Sequence, residues 1–277
     1  MRIIALIKRY PVTSISFGLL VVLILAGLLA PWLGTVNPVS IAPAKRLQPP
    51  SMLAWFGTDA LGRDVYSRVL YGSRVSLMIG LSVAIASSAI GLALALMTSF
   101  IKIADGLIMR FMDGLMAIPP VLLAISLMAL TKASITNVVV AITLAEIPRV
   151  VRLTRSIVLS LRDQPYIEAA IGSGTSLPMI LLRHLLPFTL PALAVQATYI
   201  FAAAMIIEAI LSFLGAGTPA GTPSWGNIIA DGKNVFQVAP HIIMFPCIFL
   251  SLAVLGVNML GNGLRDALDP RLAARLR

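Results

Sequence analysis

Long stretches without a charged side chain are the strongest constraint on the fold of this chain of 277 residues. Two of them run from Tyr10 to Ala44 and from Asn234 to Leu264, and others lie between these. About 20 apolar residues in a helix are enough to cross the hydrocarbon of a bilayer, where the backbone must satisfy its own hydrogen bonds. The stretches therefore predict an all-α integral membrane protein.

Six crossings are predicted from these charge-free stretches. Their bounds are Ile15 to Leu33, Val75 to Ile101, Gly114 to Thr131, Ala133 to Ala145, His184 to Ile207 and Asn234 to Leu264. The fourth is the weakest, because Glu146 follows after only 13 uncharged residues. We expect this helix to leave the bilayer near Arg149 and to continue as a helix that carries Arg152, Arg155 and Arg162.

The distribution of basic residues predicts the orientation. Six crossings place both termini on one side, and the segments on that side hold 14 of the 21 Lys and Arg residues. Both termini are therefore predicted to be cytoplasmic, where such residues accumulate. The whole chain, 1–277, then forms one transmembrane domain with a cytoplasmic tail (1–14), a first crossing (15–33), a periplasmic loop (34–74), a five-helix core (75–261) and a second cytoplasmic tail (262–277).

The sequence excludes a soluble catalytic domain. The longest predicted loop has 41 residues, which is near the lower limit for burying a core, and no G-x-x-x-x-G-K-[ST] phosphate loop occurs. His184 and His241 are predicted on opposite sides of the membrane, and Cys247 has no base beside it. We expect no catalytic residue, metal site or cofactor in this chain. Nucleic-acid binding is not expected either, because no basic cluster is interleaved with aromatic residues.

The predicted cytoplasmic loop between the fourth and fifth crossings is the most informative part of the chain. Its short Glu-Ala-Ala turn is slim enough for a partner to approach closely, and Glu168 can accept a charge-assisted hydrogen bond from a partner Arg. On these residues alone, an ordinary connector helix with a glycine cap is the more common explanation. The residues of interest are Glu168, Ala169, Ala170, Gly174, Leu186 and Pro187.

Their spacing resembles the E-A-A signature of permease subunits of binding-protein-dependent ABC importers. Gly174 lies six residues after Glu168, and Leu186-Pro187 begins twelve residues after that glycine. Three further stretches resemble, more narrowly, the second permease subunit of the dipeptide/oligopeptide/nickel ABC importer family. They are FGTDALGRDVYSR (56–68), TPSWGN (222–227) and GLRDALDPR (263–271).

The resemblance implies a six-helix permease of the ABC importer type in the bacterial inner membrane. Its implied partners are a second homologous permease subunit, two cytoplasmic ABC ATPase subunits that bind ATP and Mg, a periplasmic substrate-binding protein and membrane lipids. The E-A-A residues would form a coupling helix between crossings four and five that docks on an ATPase and drives alternating access. Pro165, where the family usually has a charged residue, fits the first position of that helix.

The implied substrates are dipeptides or oligopeptides, and nickel or another small solute is the alternative within the family. The resemblance leaves open whether the two permease subunits are identical. An ion-coupled secondary transporter is the alternative from a different class. Such proteins usually contain internal repeats, and none is visible in this sequence.

Four residues are candidates for the translocation path or a gate. Pro119 and Pro120 would kink or interrupt the third crossing and free backbone carbonyls, which is tolerated only where protein or cavity water satisfies them. A carboxylate in hydrocarbon costs at least ~2.5 kcal/mol, so Glu208 should face a helix interface, a cavity or the membrane surface, as should Glu146 near Arg149. Structural pairing is the alternative for both carboxylates.

Trp225 is the fourth candidate for the translocation path or a gate. The motif at residues 56–68 supplies three further candidate residues, for contact with the binding protein. Trp225 is either an anchor at the membrane interface or part of a docking or gate surface. Arg63, Asp64 and Arg68 are predicted to lie on an amphipathic helix at the membrane surface, stabilised by an ion pair within the segment. Contact with the binding protein is the functional alternative for these three.

Overall fold

The computed structural model describes residues 11–100 and 102–268, and these residues form ten α-helices and no β-strand. The helices are α1 (Pro11–Leu28), α2 (Val65–Phe100), α3 (Lys102–Met116), α4 (Pro120–Ala129), α5 (Ile135–Arg162), α6 (Pro165–Gly172), α7 (Leu177–Ile180), α8 (Leu186–Phe213), α9 (Trp225–Gly232) and α10 (His241–Leu268). The all-α prediction is confirmed. Most of the two predicted tails, residues 1–10 and 269–277, lies outside the described residues.

Within the described residues, four helical segments are long and apolar enough to cross a membrane. They correspond to predicted crossings one, two, five and six, with the bounds Pro11–Leu28, Val65–Thr98, Leu177–Phe213 and His241–Ala267. A fifth candidate is the pair formed by α3 and α4, which are bent by 91° relative to each other. The fourth predicted crossing falls in α5, which is continuous from Ile135 to Arg162 but carries several charges in its second half.

The third predicted crossing, Gly114 to Thr131, is divided between two helices, because α3 ends at Met116 and α4 begins at Pro120. The predicted interruption at the two prolines is thus confirmed. Pro119 adopts ψ 134°, outside the helical region, and Pro120 is the first residue of α4. A residue that precedes proline is pushed towards extended conformations, and proline is well suited to the first helical position. With 10 residues, α4 is only ~15 Å long, too short to cross the hydrocarbon by itself.

Three predicted boundaries also move. Helix α2 begins at Val65, ten residues before the charge-free stretch, because Asp64 Oδ2 accepts hydrogen bonds from the backbone N–H and the hydroxyl of Ser67 at 2.8 and 2.5 Å. Helix α8 runs to Phe213, so Glu208 lies inside it. The last helix begins at His241, because the residues before it form α9 and a 3₁₀ turn.

Helix α5 behaves as predicted beyond Arg149. It remains helical through Pro148 and Arg162, and two of its arginines pair with α3. Arg152 lies 2.6 Å from Asp113, and Nε and Nη2 of Arg155 bind the carboxylate of Asp105 at 2.6 and 2.7 Å. These pairs fix the charged half of α5 against α3.

Helix α2 is the centre of the fold. Its residues Ile79 and Val83 are buried in one core cluster with residues of α5 and α8, and Gly91 packs so closely that a Cβ atom would lie 2.6 Å from Val150. Its 36 residues give a length of ~54 Å, which exceeds the ~30 Å of bilayer hydrocarbon. The residues before α2 and those packed near its last turns therefore lie at opposite ends of the molecule.

Candidate functional site

The candidate coupling segment, residues 163–187, is built around α6. Gln164 is extended (φ −86°, ψ 141°) and Pro165 occupies the first helical position, as predicted. The helix ends in a Schellman motif: Gly174 has φ +76°, its N–H donates to the carbonyl of Ile171, and the N–H of Thr175 donates to that of Ala170. The sequence Pro-x-x-Glu-Ala-Ala-x-Gly-x-Gly thus forms a helix with well-defined ends.

One buried side chain attaches α6 to the rest of the protein. Ile167 is 0% exposed and lies in a cluster with the buried residues Val158, Ile180 and Leu185, against which Leu96 near the end of α2 also packs. Its neighbours Glu168 and Ala169 are exposed. The anchor at Ile167 therefore holds the acidic and small residues of the motif on the outside of the protein.

The exposed side of the coupling segment also carries large apolar side chains. They are Tyr166, Ile171, Leu177, Met179 and Leu182, which are 42–63% exposed. A helix that presents exposed apolar residues around a carboxylate is a suitable surface for a protein partner.

The second half of the motif lies where α7 is joined to α8. Residues Leu181–Leu185 form a π-turn, in which the N–H of Leu186 donates to the carbonyl of Leu181. Leu186 and Pro187 begin α8, and Pro187 has no N–H to donate to the preceding turn. A π-turn is a frequent feature of functional sites in helices, and here it links the coupling segment directly to a candidate membrane-spanning helix.

Glu208 lies at a helix interface, one of the environments predicted for it. Its side chain is 0% exposed, and Oε1 accepts hydrogen bonds from the hydroxyls of Ser212 and Ser224, each at 2.9 Å. Ser224 is the N-cap of α9 and accepts a hydrogen bond from the N–H of Asn227. Glu208 therefore fastens the start of α9 to α8. These serines could not be predicted from the sequence, since a serine before a Trp-Gly pair has no distinctive pattern.

Removing the Glu208 carboxylate should release the start of α9. The Glu208→Ala change leaves two buried hydroxyls without their acceptor, which we expect to cost about 2–4 kcal/mol. Amide hydrogen exchange over residues 215–232 should then become at least tenfold faster. Glu208→Gln, which keeps an oxygen acceptor, should exchange nearly as slowly as the unmodified protein. Equal exchange in the Ala variant and the unmodified protein would contradict this role.

Trp225 does not lie on an exposed surface, so the predicted interface anchor or docking surface is wrong, and a role in a gate stays a prediction. Trp225 is 0% exposed, its indole N–H donates to the carbonyl of Val69 at 3.1 Å, and its backbone N–H donates to the hydroxyl of Ser76 at 3.1 Å. Both partners belong to α2. Trp225 is thus a packing residue that holds α9 against α2, and a buried Trp needs a partner of this kind for its N–H.

The predicted ion pair within residues 63–68 is also wrong. Arg63 and Arg68 instead bind Asp59, at 2.6 and 2.7 Å, and Asp231 of α9, at 2.7 and 2.9 Å. The two guanidinium groups are 8% and 0% exposed, so they are not available for contact with another protein. Asp64 caps α2 instead of pairing with either arginine.

The prediction of structural pairing for Glu146 is confirmed, since Arg149 Nη1 lies 2.9 Å from its carboxylate.

Pro119 and Pro120 are placed at the break between α3 and α4, and a role for them in the translocation path stays a prediction. In the part of the chain that the structure describes, no group of three or more His, Cys, Asp or Glu residues is arranged to hold a metal ion.

Comparison with known proteins gives a consistent result. Residues 87–274 match the family described as "Binding-protein-dependent transport system inner membrane component". Over 99% of its length, the chain is 48% identical to the probable peptide ABC transporter permease protein y4tQ of Sinorhizobium fredii, of which it covers 94%.

Two further relatives have narrower descriptions. The chain is 38% identical over 96% of its length to the dipeptide transport system permease protein DppC of Alkalihalophilus pseudofirmus, and covers 88% of it. It is 41% identical over 91% of its length to the glutathione transport system permease protein GsiD of Escherichia coli, and covers 84% of it.

The fold resembles that of a chain in the inward-facing structure of the MetNI methionine ABC transporter, with a TM-score of 0.61. The match covers 73% of this chain and 96% of the other. At 18% sequence identity, the likeness concerns the fold alone.

Proposed function

This chain belongs to the family of binding-protein-dependent transport system inner membrane components, and from this premise we propose that it is the peptide permease subunit of an ATP-driven ABC importer. It forms half of the translocation path. The other half is a second permease subunit, two cytoplasmic ATPase subunits supply the energy, and a periplasmic binding protein delivers the substrate. The observation that carries the proposal is the surface formed by α6, where Glu168 and Ala169 are exposed beside a buried anchor.

The proposed coupling contact follows from the geometry of α6. Ile167 transmits any displacement of α6 to the cluster with Val158 and Leu185, and the π-turn connects that cluster to α8. A partner ATPase that binds Glu168 and the exposed apolar side chains of the coupling segment can therefore move α8, a candidate membrane-spanning helix. Alternating access results when this movement closes one end of the helix bundle and opens the other.

We propose six crossings with both termini in the cytoplasm. Five of them are α1, α2, the bent pair of α3 and α4, α8 and α10, and the sixth is α5, whose 28 residues exceed the length needed to span the hydrocarbon. In this arrangement the coupling segment, at the far end of α2, faces the cytoplasmic ATPases.

The proposed substrates are dipeptides or short oligopeptides. The support comes from relatives described as permeases for peptides, dipeptides and glutathione, each at least 38% identical over more than 90% of this chain. Nickel or another small solute is the second candidate, which the sequence motifs also suggest.

The transport function is tested by uptake into proteoliposomes that contain the complete transporter and its binding protein. With ATP inside and all ion gradients collapsed by ionophores, radiolabelled dipeptide should accumulate against its gradient. Uptake that stops when the gradients are collapsed would favour an ion-coupled transporter. Accumulation of ⁶³Ni²⁺ but not of dipeptide under the same conditions would reject the peptide assignment and retain the ATP-driven mechanism.

A further inference from the structure

The segment that precedes α2, residues 34–64, lines a half-open cavity of about 380 Å³ together with Tyr66 of α2. We call this segment the outer segment, because it lies at the opposite end of α2 from the coupling segment. Ligand sites commonly have volumes of about 300–1,000 Å³, so the cavity is large enough for a small molecule. Its lining includes Lys45, Met52, Trp55, Thr58, Asp64 and Tyr66.

The cavity is preformed by backbone hydrogen bonds within the outer segment. The N–H groups of Ala42, Leu47 and Thr58 donate to the carbonyls of Leu61, Asp59 and Gln48, at 3.1, 3.1 and 3.0 Å. Gly62 has φ +74°, and a Cβ atom there would lie 1.9 Å from the carbonyl oxygen of Ala42, so only glycine permits this approach. The two halves of the outer segment are thus held together without a ligand.

The charges that line the cavity are of opposite sign and do not neutralise each other. In the described part of the chain, neither Lys45 nor Asp64 forms an ion pair, with each other or with any other residue. By contrast, Asp59, Arg63 and Arg68 nearby are all paired and are nearly or fully buried. The lining therefore contains an ammonium and a carboxylate that form no ion pair among the described residues. Ser67 engages only Oδ2 of Asp64 at the start of α2.

The same cavity is also lined by apolar and aromatic side chains. The rings of Trp55 and Tyr66 lie 4.9 Å apart, and the hydroxyl of Tyr66 donates to the carbonyl of Leu33 at 3.0 Å, which fixes its ring. Met52 is 96% exposed at the lining. A molecule that carries an ammonium, a carboxylate and an apolar side chain matches the chemistry of these lining groups.

We propose that this cavity binds a short zwitterionic peptide, with Lys45 binding its carboxylate and Asp64 its amino group. The site would hold substrate on the outer side of the permease before it enters the membrane path. This inference rests on the proposed peptide transport but assigns a separate binding site. Charge-assisted hydrogen bonds are stronger than those between neutral groups. A peptide with a blocked carboxylate should therefore lose the contribution of Lys45 to its affinity, and one with a blocked amino group should lose that of Asp64.

The test uses the complete transporter, purified in detergent without its binding protein, and equilibrium dialysis with radiolabelled alanyl-phenylalanine. Lys45→Gln should weaken binding of the free dipeptide about three- to tenfold but leave binding of its carboxyl amide unchanged. Asp64→Asn, which keeps an oxygen acceptor at the start of α2, should weaken binding of the free dipeptide but not of its N-acetyl form. Arg46→Gln, one residue outside the lining, is the matched control and should have no effect.

Three results would overturn the proposal. They are no binding of the dipeptide to the transporter in detergent, equal loss of affinity for free and blocked peptides in each variant, or binding of phosphoethanolamine in preference to the dipeptide. The last would identify a lipid headgroup as the zwitterion. The same complex is also reconstituted into proteoliposomes with its binding protein, and ATP-driven uptake of peptide is measured there. This keeps the two tests separate, because uptake that persists without binding at this cavity rejects only the cavity.

Discussion

Glu168→Arg is expected to reduce ATP-driven peptide uptake at least tenfold while the protein still inserts and folds. A charge-assisted hydrogen bond between this carboxylate and a partner arginine contributes ~1.5–3 kcal/mol, and the reversed charge adds repulsion in its place. Because Glu168 is exposed and makes no ion pair among the described residues, the change breaks no ion pair in that part of the chain. Uptake into proteoliposomes and co-purification of the ATPase subunits measure the effect.

Two control variants separate docking from folding. Asp163→Arg makes the same charge change on an exposed residue five positions earlier, before α6 begins, and should retain most of the uptake. Glu168→Gln should have an intermediate effect, since it loses the charge and keeps an oxygen acceptor. Unchanged uptake in Glu168→Arg would reject α6 as the coupling helix. It would not reject the proposed transport function.

The coupling helix could be predicted from sequence because its signals are local. Pro165 suits the first turn of a helix and Gly174 permits the positive φ of its end, so a few consecutive residues determine both ends. The anchor at Ile167 could not be predicted, because its partners Leu96 and Leu185 are distant in sequence and only the folded chain brings them together.

The third crossing illustrates a different limit. Absence of charge from Gly114 to Thr131 indicates that the residues are apolar, but not that they form one straight helix. The two prolines suggested an interruption, yet the 91° bend depends on how α3 and α4 pack against α5. Length and hydropathy alone therefore predict that a segment lies in the membrane, but not whether it is straight or bent.

The incorrect predictions for residues 63–68 and for Trp225 have a common physical cause. Arg63 lies next to Asp64 in sequence, so a local pair was expected, but Asp64 is occupied as the cap of α2. Arg63 binds Asp59 and also Asp231, which is 168 residues away. Trp225 is buried for the same reason, since α9 folds back onto α2. Long-range contacts of this kind leave no periodic pattern in the sequence.

Arg68→Met is expected to destabilise the outer side of the protein strongly. Arg68 is fully buried and lies within 2.9 Å of the carboxylates of both Asp59 and Asp231, so its loss leaves the buried Asp59 with Arg63 as its remaining ion-pair partner. Removing one member of a buried ion pair costs ~3–5 kcal/mol, which for a chain of this size lowers the melting temperature by on the order of 10 °C. Thermal unfolding in detergent, followed by tryptophan fluorescence, measures the change.

Three comparisons test whether the uncompensated charge is the cause. Arg46→Met, at an exposed arginine without an ion pair in the described residues, should leave the melting temperature within about 2 °C, because exposed charges contribute little. Asp231→Asn should cost less than Arg68→Met, since Asp231 is 41% exposed. The double change Arg68→Met with Asp59→Asn should recover part of the loss, because it removes the buried carboxylate along with its partner. If the double variant melts lower than Arg68→Met alone, the cluster stabilises the fold through packing and not through charge, and α9 is then held to α2 mainly by Trp225.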